Sequence, residues 1–181
     1  MKKHMILCAR IFLIYMLRQM GFCEKWMMWI DGCLKSSFVS VLVNGCPIDE
    51  FSPQRGLKQG DPLAPFLFNI VVKGLMGLMR ETQKKNLFKG FLVGRDGVEI
   101  NTLQYVDNMV FFGEATMSNV KAIKAMLRSF ELVSGLKINF ATSSFGAYGR
   151  SYHWVRSTAG YLNCRLLLPG NPHRGTPIGV V

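Results

Sequence analysis

Apolar positions recur along this chain in two rhythms, every three to four residues and every second residue, separated by polar or glycine-rich punctuation. An apolar stretch from Met5 to Leu17, interrupted by Arg10, reads as a helix. Between Arg18 and Leu34, Met20, Trp26, Trp29, Ile30 and Cys33 keep helical spacing, which predicts a second helix ending at Lys35-Ser36-Ser37. Phe38–Val43 then alternates and is rich in branched residues, Asn44-Gly45 supplies a tight turn, and Pro47–Phe51 returns, so a hairpin is predicted. After an irregular Ser52–Gly60 loop, Asp61 is placed to cap a helix whose first residue is Pro62. Leu63, Phe66, Leu67, Ile70, Val71 and Leu78 share its apolar face, and the polar Glu81–Asn86 run ends it.

The second half opens with strands. Phe88–Val93 is followed by the turn Gly94–Gly97, then by Val98–Tyr105 and Met109–Phe112 on either side of Val106-Asp107-Asn108. Ser118 is placed to cap a helix with apolar positions Val120, Ile123, Leu127 and Phe130, and Gly135 to end it in a left-handed conformation. A short strand, Leu136–Phe140, is predicted next. Signals weaken beyond Ala141, and the chain from about Gly170 reads as frayed. No repeat or linker interrupts the pattern, which predicts one α+β unit with an at least partly antiparallel sheet.

Composition narrows the classes. The chain has 181 residues, 49% apolar and 18% charged, which excludes intrinsic disorder, collagen and a coiled-coil rod. Lysine and arginine number 22 against 11 acids, a net charge of +11 that favours a polyanion such as nucleic acid or an acidic membrane. Five cysteines without a C-x-x-C pair, and three scattered histidines, argue for reduced thiols and against a zinc site. Met1-Lys2-Lys3-His4 and the following apolar run resemble the start of a signal peptide, but Arg10, Arg18, Glu24 and Lys25 and the lack of a small-x-small site favour an ordinary apolar helix. No membrane span is expected.

Two segments could carry chemistry. In Pro53–Leu63, Gly56 and Gly60 permit close backbone approach, and Arg55, Lys58 and Gln59 offer donors beside a helix N-terminus that favours phosphate. Asp107 projects a carboxylate from the tip of a predicted hairpin, where a hard cation could be held. Taken singly, the first also fits an ordinary capped loop, and Asp107-Asn108 also fits plain turn chemistry.

Together and in this order the segments resemble the palm of a reverse transcriptase, most closely the LINE-type non-LTR retrotransposon enzymes. Those enzymes carry R-G-x-x-Q-G-D-P-L-S-P-x-L-F, a Y/F-A-D-D hairpin, a helix ending S-G-L-x-x-N with K-S soon after, and L-G-x-P-I-G. Here the counterparts are Arg55–Phe68, Tyr105-Val106-Asp107-Asn108, Ser134–Asn139 with Thr142-Ser143, and Gly175–Gly179. The resemblance runs from about Met20 to Gly179. It implies an α+β palm over residues 23–169, with an antiparallel sheet packed on helices. A divergent apolar helix precedes it over 1–22, a frayed remnant follows over 170–181, and fingers and thumb are expected to be largely missing.

The function implied is RNA-directed DNA synthesis on an RNA/DNA template-primer, using two Mg2+ ions that clamp the attacking hydroxyl and the leaving pyrophosphate. The site residues implied are Asp107 as metal ligand and Tyr105, Arg55, Gly56, Lys58, Gln59 and Gly60 around nucleotide or nucleic acid. The family's three acids are one upstream aspartate and the adjacent pair of Y-x-D-D. Here no Asp or Glu occurs from Met1 to Cys23, Glu24 and Asp31 read as solvated helix positions, and Asn108 replaces the second aspartate of the pair. Thr142 stands where the family has a lysine able to protonate pyrophosphate. The chain is therefore expected to bind Mg2+ weakly or not at all and to be catalytically inactive. Alternatives are a non-catalytic basic RNA/DNA-binding module or a retroelement relic without selected function. A nuclear or cytoplasmic location and self-association through exposed apolar surface are expected.

Overall fold

A computed structural model describes residues 10–36, 38, 40–49, 62–105, 108–167 and 179–180. Its contacts divide the chain into two compact units, one comprising the chain up to Leu75 with Phe130–Lys137, the other Met76–Ser129 with the chain from Ile138 onward.

The first unit contains α1 (Arg10–Gln19), α2 (Glu24–Lys35), a β1 (Leu42–Val43) and β2 (Cys46–Pro47) hairpin, and the start of α3 (Ala64–Lys84). Leu13 and Leu17 of α1 and Met27 and Ile30 of α2 are buried. The second helix begins six residues later than the apolar spacing predicts. Gly21 takes a left-handed φ of 80°, and Phe22 N–H donates to the Leu17 carbonyl, which ends α1 and starts a new axis. Met20 therefore lies in the turn, and Trp29 and Cys33 are exposed. Phe22 stacks on Trp26 at 4.7 Å, and both meet Phe66 edge-on, so Phe66 serves an aromatic cluster although it is itself exposed. At Gly74 a Cβ would stand 2.8 Å from Phe12 Cζ, so a larger residue there would have to displace the Phe12 ring. The hairpin is shorter than predicted and turns through Asn44 (φ 51°) and Gly45 (φ 82°), both left-handed as a type I′ turn demands.

The second unit holds β3 (Phe91–Val93) paired with β4 (Val98–Ile100), β5 (Thr102–Tyr105) paired with β6 (Asn108–Phe111), and most of α4 (Met117–Ser134). The predicted single strand Val98–Tyr105 breaks at Asn101, so β4 and β5 belong to different two-stranded ladders. Thr116, rather than Ser118, caps α4: its Oγ1 accepts from Asn119 N–H. Gly135, in the first unit, ends the same helix with φ 70° as expected.

No strand forms over Leu136–Phe140. Instead β7 (Ser144–Gly146), α5 (Tyr152–Leu162) and β8 (Arg165–Leu166) make a small crossover with a parallel β7–β8 pair, and β9 (Gly179–Val180) adds antiparallel to β7. Among the described residues the strands thus form several small ladders, antiparallel except for the β7–β8 pair, which agrees with the at least partly antiparallel arrangement expected but divides it into separate sheets. Phe88, Phe111, Val120, Ile123, Leu127, Phe145, Val155, Ala159 and Leu162 form the buried core of this unit. No helix among the described residues is long and apolar enough to cross a membrane.

Candidate nucleotidyl-transfer site

The β5–β6 hairpin aligns Thr102 with Phe111, Leu103 with Val110, Gln104 with Met109 and Tyr105 with Asn108. Only two residues, Val106 and Asp107, separate the last pair, so Asn108 is the first residue of β6 and not part of the turn. Strand alternation leaves Leu103 and Tyr105 exposed and buries Phe111. Tyr105 is 79% exposed, free to meet a ligand from solvent.

The base of this hairpin is fastened on both sides by residues that sequence reading overlooks. On one side, Asn101 Nδ2 donates to Gln83 Oε1, and Gln83 Nε2 donates to Glu99 Oε1 at 3.0 Å. The same Glu99 oxygen accepts from Gly90 N–H at 2.6 Å, and Phe112 N–H donates to the Asn101 carbonyl at 2.8 Å. On the other side, the buried Asn119 side chain accepts from Lys89 N–H (3.0 Å) and donates to the carbonyls of Lys89 (2.7 Å) and Glu114 (3.0 Å). A Cβ at Gly113 would stand 2.5 Å from Phe88 Cζ and 2.7 Å from the Lys89 carbonyl, so the strand can leave the hairpin here only as glycine. An asparagine in the first turn of a helix is the one available signal for this tie, and it reads equally well as capping.

The candidate ligands divide sharply. Asp107, Arg55, Gly56, Lys58, Gln59 and Gly60 lie outside the described residues. Tyr105 and Asn108 are described, and both are exposed. Asn108 offers a neutral amide oxygen. Among the described residues no three His, Cys, Asp or Glu side chains converge as a metal site.

The two early acids are occupied otherwise. Asp31 Oδ1 pairs with Arg10 Nε at 2.9 Å and Oδ2 with Lys35 Nζ at 2.6 Å, so it is an ion-paired helix residue rather than a merely solvated one. Glu24 pairs with Arg18 at 3.4 Å. Thr142 Oγ1 donates to the Asn139 carbonyl at 3.1 Å and carries no proton that a general acid of amine type could supply. Burial pushes the Cys164 thiol above its usual range, with Lys124 opposing, and it sits in the second unit as a free cysteine. Cys23 and Cys46 are free as well.

Comparison with known proteins places the chain in a family. Residues 11–161 match the family described as reverse transcriptase (RNA-dependent DNA polymerase). The Pol polyprotein of the type-1 retrotransposable element R2 from Popillia japonica is 37% identical over 150 residues, covering 77% of this chain and 20% of that protein. The Pol polyprotein of a type-2 R2 element from Drosophila melanogaster is 30% identical over 123 residues, 68% of this chain and 11% of its own length. An uncharacterized mitochondrial protein of Arabidopsis thaliana is 37% identical over 71 residues, 39% of this chain and 58% of that protein. The chain spans well under two thirds of the length of each of these relatives. With its Arg55–Phe68 segment and its Tyr105–Asn108 hairpin, the chain belongs to the reverse transcriptase family, alongside the R2 non-LTR retrotransposons.

Proposed function

We propose that this chain is a reverse-transcriptase palm, residues 23–169, that keeps the family's framework but no longer catalyses nucleotide addition. The observation that carries the reading is Asn108, which stands opposite Tyr105 where the family's second hairpin aspartate belongs. Members of the family generally work with divalent metal ions on template-primer. Magnesium binds through formal negative charge and gives up its water reluctantly. One carboxylate at Asp107, one amide at Asn108 and no acid in the first 23 residues do not fit a pair of such ions. Losing even about 4 kcal/mol of transition-state stabilisation slows a reaction about a thousandfold. The roles left to this chain's residues are then recognition roles: Arg55 and Lys58 beside phosphate, Gly56 and Gly60 for backbone approach, Gln59 and Tyr105 beside nucleotide or template.

The second reading, a non-catalytic RNA/DNA-binding module, is compatible with the first and is favoured by the +11 net charge. A retroelement relic without selected function is the reading left if neither activity is found. Exposed Ile11, Met28 and Leu42 further support self-association.

The test is primer extension on a homopolymer template with Mg2+ or Mn2+, run beside an Asp107→Ala variant. Incorporation equal to the variant is expected. Template-dependent incorporation well above it would overturn the inactivity. Filter binding at low salt, weakening steeply as salt rises, separates the binding module from the relic.

A further inference from the structure

The positive charge of this protein is not spread evenly. From Ala115 to Val181 the sequence holds eight of the 22 lysines and arginines and one of the 11 acids, Glu131, so this segment carries +7 of the chain's +11. Three of those cations fall on a single stripe of α4. At 100° per residue, positions 117, 121, 124 and 128 lie within about 60° of one another. The stripe runs beside α5: Met117 Sδ accepts from Thr158 Oγ1, and Lys124 Nζ reaches Tyr161.

A cationic helix face is ordinarily only a solvated one. Here the cations are held in place. Lys124 Nζ donates to the Tyr161 carbonyl at 2.5 Å and lies 3.9 Å from the centre of the Tyr161 ring. Arg128 covers the Phe140 ring at 4.6 Å. Arg150 donates its Nε–H to the Ala115 carbonyl at 2.8 Å, just before α4 begins, and lies 5.4 Å from the Trp154 ring. Lys121 sits on the stripe between them and is exposed. At 1.5 Å per residue the row from Ala115 to Arg128 is about 20 Å long.

Long cationic side chains give up rotamer entropy when they bind, and in side chains already pinned part of that loss has already occurred. Tyr161 is 43% exposed, so a second planar group has access to a ring whose neighbour is a cation. Three pinned cations and the exposed Lys121 in a line, with an accessible aromatic ring among them, no acid in α5 and one acid, Glu131, at the far end of the stripe a turn beyond Arg128, match an extended polyanion that also bears flat bases.

We propose that the row Arg150, Lys121, Lys124 and Arg128 is a binding track for single-stranded nucleic acid, with phosphates along the cations and a base on Tyr161. The proposal rests on the nucleic-acid-binding reading above and stands whether or not Asp107 supports catalysis. RNA and DNA single strands share the chemistry of the track, and the 2′-hydroxyl is what would tell them apart.

The test uses the full chain and a fluorescein-labelled 20-nucleotide single strand, as RNA and as DNA, followed by anisotropy between 50 and 200 mM salt. Four phosphate contacts give a slope of log K against log salt of about −2.8, an affinity loss of about 50-fold over that range. The Lys121→Gln/Arg128→Gln pair should bring the slope to about −1.4. The charge-matched pair Lys85→Gln/Arg95→Gln, at exposed positions outside the row, should leave it unchanged. Unaltered circular dichroism and melting temperature confirm the fold, and the single Lys121→Glu variant gives the same reading with Arg128 on Phe140 intact. Equal losses from both pairs would mean that net charge alone acts and would overturn the track. Absence of binding at 50 mM salt, or tighter binding to phosphatidylserine vesicles than to either oligonucleotide, would overturn it too. A difference between the RNA and DNA arms shows which strand the track prefers and supports it in either direction.

Discussion

Asn119 joins three backbone groups that no helix or ladder serves: the N–H and C=O of Lys89 and the C=O of Glu114. It is 3% exposed, so water cannot readily replace it. Removing a partner from a buried polar group costs about 1–3 kcal/mol, more than a hydrogen bond contributes net, because the abandoned group has lost its water as well. Asn119→Ala is therefore expected to lower stability by about 2–4 kcal/mol in urea denaturation. Asn119→Asp should cost at least as much, since it keeps the acceptor for Lys89 N–H but sets a buried carboxylate oxygen against the Lys89 and Glu114 carbonyls. A loss below about 0.5 kcal/mol for the alanine variant would show that the tie is incidental. The identity of this residue was never apparent from its neighbours in the chain. Two of its three bonds go to Lys89, 30 residues upstream, and only folding brings that residue within reach.

The elements differ in how openly they announce themselves. Asn44-Gly45 predicts its hairpin because a two-residue turn needs positive φ at both positions, a local demand met by local residues. Helix α3 was equally legible: its buried positions Leu67, Ile70, Val71 and Leu75 follow one stripe, although Pro62 and Leu63 form a turn before Ala64 rather than its first residues. Helix α5 was missed. Its buried residues Val155, Thr158, Ala159 and Leu162 keep helical spacing, but two of the four are small or polar and Gly160 lies among them. Its ends are nonetheless well marked in the structure, with Ser151 Oγ accepting from Trp154 N–H at 3.3 Å and Asn163 closing the helix at φ 64°. Ser151→Ala should cost about 1 kcal/mol by thermal or chemical melting. A neutral result would mean that the crossover between β7 and β8 holds α5 without its cap.

In the function proposed above, the chemistry turns on how many carboxylates can gather at one hairpin. Asn108→Asp restores the adjacent pair at the start of β6 but not the upstream acid. Its primer extension is expected to remain at the level of the unmodified chain, within assay error. Extension by this single variant would show that two acids suffice and would sink the charge-deficit account. The same assay on the unmodified chain tests whether any residual activity exists at all, so the two results bracket the site.

Family membership and the asparagine at position 108 were readable before any coordinates. Both are properties of residue identity at fixed short spacing, as in Arg55–Phe68 and Tyr105–Asn108, and charge does not depend on where a side chain ends up. The hairpin's fastening at Asn101 and Asn119, the glycine at 113 that lets Phe88 and Lys89 approach, and the crossover through α5 were decided only by tertiary structure. So was the cationic row, which depends on Arg150 meeting a carbonyl 35 residues away and on Lys124 meeting one 37 residues away. Such pairings depend on closing long loops, and nothing in the local rhythm of apolar and polar residues specifies which distant partner closes them.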